Sequence, residues 1–176
     1  MNDDYGVDVT VVEGQFHGLI GPNGSGKTTT MRMIMSILYP NSGTVRVFGR
    51  DVVGKGCSSD RIGYLPEERG LYKSMKVRDL LRFYAELQGR ARSKRLIEHW
   101  LERMGLAEWA HQKVQALSKG MAQKIQFIAT VIAEPELIIL DEPFSGLDPV
   151  NADVMKDAVL ELQKAGATVI FSTHDM

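Results

Sequence analysis

Apolar and polar positions along this chain alternate between two periods. VDVTVV (Val7 to Val12) reads as a strand, Glu13-Gly14 as a turn, and FHGLI (Phe16 to Ile20) as a short strand entering a glycine-rich loop. From Lys27 to Leu38 the spacing turns helical, until Pro40, Asn41 and Gly43 stop it. TVRVF (Thr44 to Phe48) and Ile62 to Leu65 return to the strand pattern, the second ended by Pro66. Val77, Leu80, Leu81, Tyr84 and Leu87 then predict an amphipathic helix over 77–88. Ser93 is a candidate N-cap for a second helix through Met104, and Ile125, Ile128, Ala129 and Ile132 share one face of a third over 121–133. The strand pattern resumes at LIIL (Leu137 to Leu140), followed by a helix over 150–165 and by TVIFS (Thr168 to Ser172). Strands alternating with helices predict an α/β fold with a parallel sheet, interrupted by a helical insertion over 74–134.

Composition narrows the class. The chain has 176 residues, 44% hydrophobic and 24% charged, with a formal net charge of −1. That suits one globular domain and argues against disordered, collagen-like and coiled-coil chains. The lone Cys57 excludes an intramolecular disulfide and a cysteine-based zinc cluster, in keeping with a reducing cytosol. The acidic start, MNDDYG, is no secretory signal, and the apolar runs are too short to span a bilayer. Charge is uneven, however. Residues 69–103 hold ten basic and four acidic side chains, net +6, so the remainder carries −7. The run reads first as a solvated helical face and second as a docking surface; without interleaved aromatics it gives no reason to expect nucleic acid.

The chemistry begins at Gly21-Pro22-Asn23-Gly24-Ser25-Gly26-Lys27-Thr28, which matches G-x-x-x-x-G-K-[ST] between a predicted strand and a predicted helix. Glycines let backbone N–H groups converge on phosphate oxygens, and the helix start adds unpaired N–H groups and a positive dipole end. Lys27 is placed to neutralise β- and γ-phosphates, Thr28 to ligate Mg²⁺, and Thr29 to extend the nucleotide-binding run. Further on, LIIL runs straight into Asp141-Glu142, carboxylates at the carboxyl end of a buried parallel strand. Asp141 is suited to hold Mg²⁺. Glu142 is suited to orient or deprotonate an attacking water, a role contributing about 10²–10⁴-fold.

Together these motifs resemble the ATP-binding subunit of ABC transporters. The phosphate loop is similar to its Walker A, and LIILDEP (Leu137 to Pro143) to its Walker B with the catalytic glutamate at Glu142. SGLD (Ser145 to Asp148) resembles the D-loop, Ser172-Thr173-His174-Asp175 the switch-histidine segment, and LSKGMAQK (Leu117 to Lys124) the signature. EERGLY (Glu67 to Tyr72), LSKG and DEPFSGLDPVN (Asp141 to Asn151) look most like the ABC-2-type exporter branch.

The resemblance implies a P-loop NTPase (RecA-like) fold. Its nucleotide-binding core would cover 1–73 and 135–176, and the signature-bearing helical subdomain 74–134. It implies ATP and Mg²⁺ as ligands, with Thr28, Asp141 and Glu67 at the metal, and Glu142 and His174 as catalytic residues. It also implies a head-to-tail pair of ATP-binding subunits. In that pair Ser118, Lys119, Gly120 and Met121 face the partner's ATP, while Ser145 and Asp148 link the two sites. Such a dimer would drive export through an integral-membrane permease from the cytoplasmic face of the membrane, with the basic helical stretch as the contact. Lys119 and Met121 stand where the family has glycine and glutamine, and Glu67 where many members have the Q-loop glutamine. Lys119 would bring positive charge toward the partner's phosphates, whereas Met121 loses a hydrogen-bonding side chain.

The ends also differ from the family. Lys27 leaves too little chain before it for the usual adenine-stacking aromatic, Tyr5 having a different spacing, and the sequence stops two residues after His174. A domain truncated at both ends is therefore expected. A soluble ABC-type ATPase acting on ribosomes or DNA, and an inactive fragment, stand as the alternative readings.

Overall fold

The computed structural model describes residues 6–52, 59–68, 70–89 and 94–174. Tyr5, Cys57, Arg69, the candidate cap Ser93 and Asp175 lie outside them. Four strands form a parallel sheet in the order β1-β6-β5-β4: β1 Phe16–Ile20, β4 Ile62–Leu65, β5 Leu137–Leu140 and β6 Thr168–Thr173. Central β5 is buried along its whole length, as expected of a parallel strand covered on both faces. Its side chains alternate: Ile138 and Leu140 join one core cluster, Leu137 and Ile139 the other.

One face carries α1 (Lys27–Ile34), through Met31, and the two-stranded hairpin of β2 (Arg46–Val47) and β3 (Arg50–Asp51). The opposite face carries α2 (Val77–Leu87), α3 (Lys94–Arg103), α4 (Lys119–Val131) and α5 (Pro149–Lys164). The helices between β4 and β5 have no core of their own. Leu80, Leu81, Trp100, Phe127 and Ile128 belong to the same buried cluster as Leu65, Ile138 and Leu140 of the sheet.

Four expectations are corrected. Val7 to Val12 forms no strand: no neighbour among the described residues supplies a ladder, and Val7, Val9 and Val12 remain 69%, 49% and 51% exposed. The first helix ends at Ile34, not Leu38, because Ser36 turns left-handed at φ 58 while the Ile37 and Leu38 amides both return to the Arg32 carbonyl. Thr44 to Phe48 is strand only over Arg46–Val47. Phe48 (φ 51) and Gly49 (φ 73) make the two-residue turn whose positive φ values match hairpin twist, and the chain reverses there. The signature helix also begins at Lys119, two residues before the predicted start, since Ser118 caps it by accepting the Met121 N–H at 3.3 Å.

What sets the height of α4 above the sheet is a missing side chain. A Cβ on Gly63 of β4 would lie 2.6 Å from the Thr130 carbonyl oxygen and 2.9 Å from Pro135 Cγ. Backbone on one side leaves little room to relax. Gly63→Ala should lower stability by about 1–3 kcal/mol through this overpacking, measured as a lower urea midpoint at unchanged slope.

Candidate nucleotide site

All four parallel strands deliver their carboxyl ends to one edge of the sheet, and the loops that leave them build the site. Beyond β1, Gly21 to Gly26 arcs into α1 with Gly24 at φ 84 and Gly26 at φ 90, conformations that glycine adopts without strain. Gly26 is the residue before the helix, and no side chain caps it, so the first-turn amides of Lys27, Thr28 and Thr29 have no side-chain acceptor from the cap. Lys27 bends back over the loop, donating from Nζ to the Gly21 carbonyl at 2.6 Å and the Pro22 carbonyl at 3.1 Å. The same ammonium lies 4.0 Å from Glu142 Oε1.

Beyond β5, the carboxylates part company. Asp141 is almost wholly buried and its Oδ1 accepts the Ser172 hydroxyl at 2.6 Å. Glu142 has the positive φ of 49 that non-glycine residues rarely adopt, and its N–H donates to Ser172 Oγ at 2.9 Å. Glu142 Oε2 stands 3.0 Å from His174 Nδ1, whereas its buried Oε1 makes no hydrogen bond among the described residues. Tyr64 of β4 lies beside Asp141 and Arg32; burial and the neighbouring carboxylate push its phenol pKa up, against the opposing pull of Arg32.

The structure thus brings together Lys27, Asp141, Glu142 and His174. A cavity of about 330 Å³ next to Glu142 is lined by Glu67, Glu68, Lys119, Gln123 and Ser145, so Glu67 shares the same edge. A second cleft of about 900 Å³ opens beside Ser25, Gly26 and Thr29, walled by Val7, Val9 and α1.

The signature and D-loop positions meet each other within this chain. A Cβ on Gly120 would touch Leu147 Cδ2 at 3.4 Å, and Lys119 Nζ lies 3.1 Å from the place a Gly146 Cβ would occupy. Asp148 caps α5, accepting the Asn151 N–H at 3.1 Å, and bonds from Asn151 hold its carboxyl below the usual value. Asn151 in turn accepts from Lys124 Nζ at 2.8 Å; that ammonium also donates to the Met104 carbonyl at 2.7 Å. Lys124 is only 7% exposed, and burial pulls its pKa down while Asp148 opposes the shift.

Sequence reasoning missed Lys124, Gln123, Gln126 and the serine role of Ser172. A lysine or glutamine inside a helical pattern reads as a solvated position, and only packing shows that these are buried. For Ser172 the signal was present, a polar residue closing an apolar strand.

The loop geometry, hard oxygen donors and a buried carboxylate oxygen that makes no hydrogen bond among the described residues fit a phosphate ligand with a magnesium ion. No three His, Cys, Asp or Glu side chains converge among the described residues. Magnesium, held by one or two carboxylates plus phosphate oxygens, fits Asp141 with the Thr28 hydroxyl better than any all-protein cage.

Residues 5–145 match the family described as ABC transporter. The chain belongs to that family. Similar ABC proteins include the uncharacterized ABC transporter ATP-binding protein YhaQ of Bacillus subtilis, 50% identical over 173 residues, 97% of this chain and 57% of the relative. The fluoroquinolones export ATP-binding protein MT2762 of Mycobacterium tuberculosis is 38% identical over 97% of this chain and 56% of its own length. The chain therefore spans just over half the length of these curated relatives. Among solved structures, an ATP-binding subunit of an ABC transporter superposes with a TM-score of 0.83 at 30% identity, covering 94% of this chain and 70% of that one. The fold of this ABC family member is accordingly that of an α/β P-loop NTPase. Among the described residues, no helix is long and apolar enough to cross a membrane.

The two hydrogen bonds of the Ser172 hydroxyl yield a stability prediction. Ser172→Ala strands the Glu142 N–H and one Asp141 oxygen in a buried site, which should cost about 1–3 kcal/mol. Chemical denaturation of the purified protein measures it; an unchanged midpoint would contradict the bridge.

Proposed function

We propose that this chain is the ATP-binding and ATP-hydrolysing part of a transporter that drives export through a separate ABC-2-type membrane permease. The observation that carries this reading is Glu142, whose buried Oε1 makes no hydrogen bond among the described residues while Oε2 meets His174 and Lys27 stands 4.0 Å away. A carboxylate so held is ready to accept a proton from water beside a phosphate bound in the Gly21 to Thr29 loop.

The roles follow from the chemistry of each residue. Amides of Gly21, Pro22–Gly26 and the first turn of α1 receive the phosphates, wherever an N–H exists, and Lys27 swings from the loop carbonyls to the β- and γ-oxygens. Thr28, Asp141 and Glu67 hold Mg²⁺, which supplies charge neutralisation at the phosphate oxygens when bound. Glu142 takes the proton of the water whose oxygen bonds to the γ-phosphorus as the bond to ADP breaks. His174 fixes the orientation of that carboxylate and contacts the γ-phosphate.

A second ATP-binding subunit, arranged head to tail, would place its own Ser118, Lys119, Gly120 and Met121 over this nucleotide. Ser145 and Asp148 would lie at the seam between the subunits. The exposed hydroxyl end of α4 supports this arrangement, since a helix start capped by Ser118 presents N–H groups to an anion. The helical subdomain over 74–134 would dock the permease at the cytoplasmic face of the membrane. Export as the direction is supported by the resemblance of EERGLY and DEPFSGLDPVN to that branch and by the name of the Mycobacterium tuberculosis relative.

Glu142→Gln keeps the shape of the site but removes the base. Hydrolysis should fall by about 10²–10⁴-fold, with a shift from monomer to dimer in light scattering only when Mg·ATP is present. A folded variant that binds Mg·ATP yet hydrolyses it at the original rate would sink the role of Glu142. A folded variant that never dimerises would sink the head-to-tail pair.

A further inference from the structure

The buried face of α4 carries polar side chains where an apolar residue would pack as well. Gln123 is 2% exposed and Gln126 is 6% exposed, set among Ile125, Phe127 and Ile128. Ordering and burying a glutamine costs rotamer entropy and desolvation, so each needs a compensating partner. The partners are backbone carbonyls of the two loops that carry the site's carboxylates. Gln123 Nε2 donates to the Pro143 carbonyl at 3.2 Å, in the residue directly after Glu142. Gln126 Nε2 donates to the Glu68 carbonyl at 3.3 Å, in the residue directly after Glu67. One turn on, Thr130 Oγ1 reaches the Tyr64 carbonyl at 3.4 Å and the Gln126 carbonyl at 3.0 Å, extending the row toward β4.

Positions 123, 126 and 130 lie on one side of the helix, as a spacing of three and four requires. The opposite partners differ. Gln123 grips the exit of β5, Gln126 the exit of β4, and Lys124 faces Asn151 and Met104 instead. Gln126 Oε1 is buried and makes no hydrogen bond among the described residues, so this side chain is not there for full polar satisfaction. Its one side-chain bond among the described residues, to the Glu68 carbonyl, is what its burial secures.

We infer that Gln123 and Gln126 are positioning residues, one for Glu142 and one for Glu67. Each amide clamps the backbone of a different site loop to α4, so the helix that begins at Ser118 and both carboxylates of the same chain keep a common register. Both act through the loop backbone they hold. The inference rests on the proposed hydrolysis for its kinetic consequence, while the clamp itself is a statement about backbone protection.

The test uses Gln123→Met and Gln126→Met in the full chain, each keeping an unbranched side chain of similar length and deleting the amide donor. Backbone hydrogen exchange is followed alongside Mg·ATP turnover, with nucleotide affinity measured separately on a fluorescent ATP analogue. Gln123→Met should speed exchange in 142–146 and leave 66–68 unchanged, lowering kcat about ten- to a hundredfold at unchanged KM, the scale expected when a catalytic group is misplaced. Gln126→Met should speed exchange in 66–68 alone and raise the Mg²⁺ concentration for half-maximal turnover several-fold. If both variants loosen both loops equally, or lose thermal stability while kcat per folded molecule stays intact, the glutamines are core residues and the inference is overturned. Should the unmodified protein fail to hydrolyse ATP, the proposed activity falls, yet the exchange pattern still decides for or against the clamp.

Discussion

Ser172 holds the site in its shape. A single buried hydroxyl near the end of β6 accepts the Glu142 N–H and donates to the Asp141 carboxylate, so two neighbouring residues just beyond β5 are tied to the adjacent strand by one atom. In a low-dielectric interior both bonds are stronger than they would be in water, and losing either leaves a buried polar group unpaired. The positive φ at Glu142 makes that tie necessary. A non-glycine residue in the left-handed region persists only when its surroundings over-determine it. With the backbone turned there, Asp141 stays against Ser172 inside the sheet while the Glu142 side chain reaches Lys27 and His174.

The same economy recurs one layer out. Gly63 lets the α4 backbone come down onto β4, and Thr130 bonds across the junction thus formed. Because the helices between β4 and β5 share a core cluster with the sheet, their position is set by packing and not by a hinge with its own interior. The buried Lys124 strengthens the point. An ammonium held at low exposure by the Met104 carbonyl and Asn151 joins the end of α3 to the first turn of α5 through the signature helix. Two residues that the family resemblance names, Ser118 for ligand contact and Asp148 for the link between sites, are at the same time helix caps, so their side chains are oriented before any ligand arrives.

The two ends of the phosphate loop behave differently for a related reason. The loop's conformation is local: Gly24 and Gly26 occupy left-handed positions, and Lys27 satisfies its own charge on the Gly21 and Pro22 carbonyls. The segment before β1, Val7 to Val12, has strand-forming residues but no strand beside it among the described residues, and so lacks the ladder that would make it one. A β pattern is a statement about a missing neighbour as much as about the residues themselves.

That contrast marks what could be read without coordinates. β4 and β5 coincide with their apolar runs, and the P-loop and the Asp141-Glu142 pair are legible because their chemistry depends on contiguous residues of particular types. The parallel α/β fold follows from strands alternating with helices, each period being local. Shortened ends of α1 and β2 were not legible, since left-handed Ser36 and Phe48 are residues with no intrinsic preference for that conformation. Nor were the buried Gln123, Lys124 and Gln126, whose partners are carbonyls 20, 20 and 58 residues away. The sequence by itself determined which residues are candidates for phosphate and proton chemistry, because that is a property of side-chain type at close spacing. Only the tertiary structure decided how those residues are held, because the hydrogen bonds that hold them join distant segments and depend on which groups are removed from water.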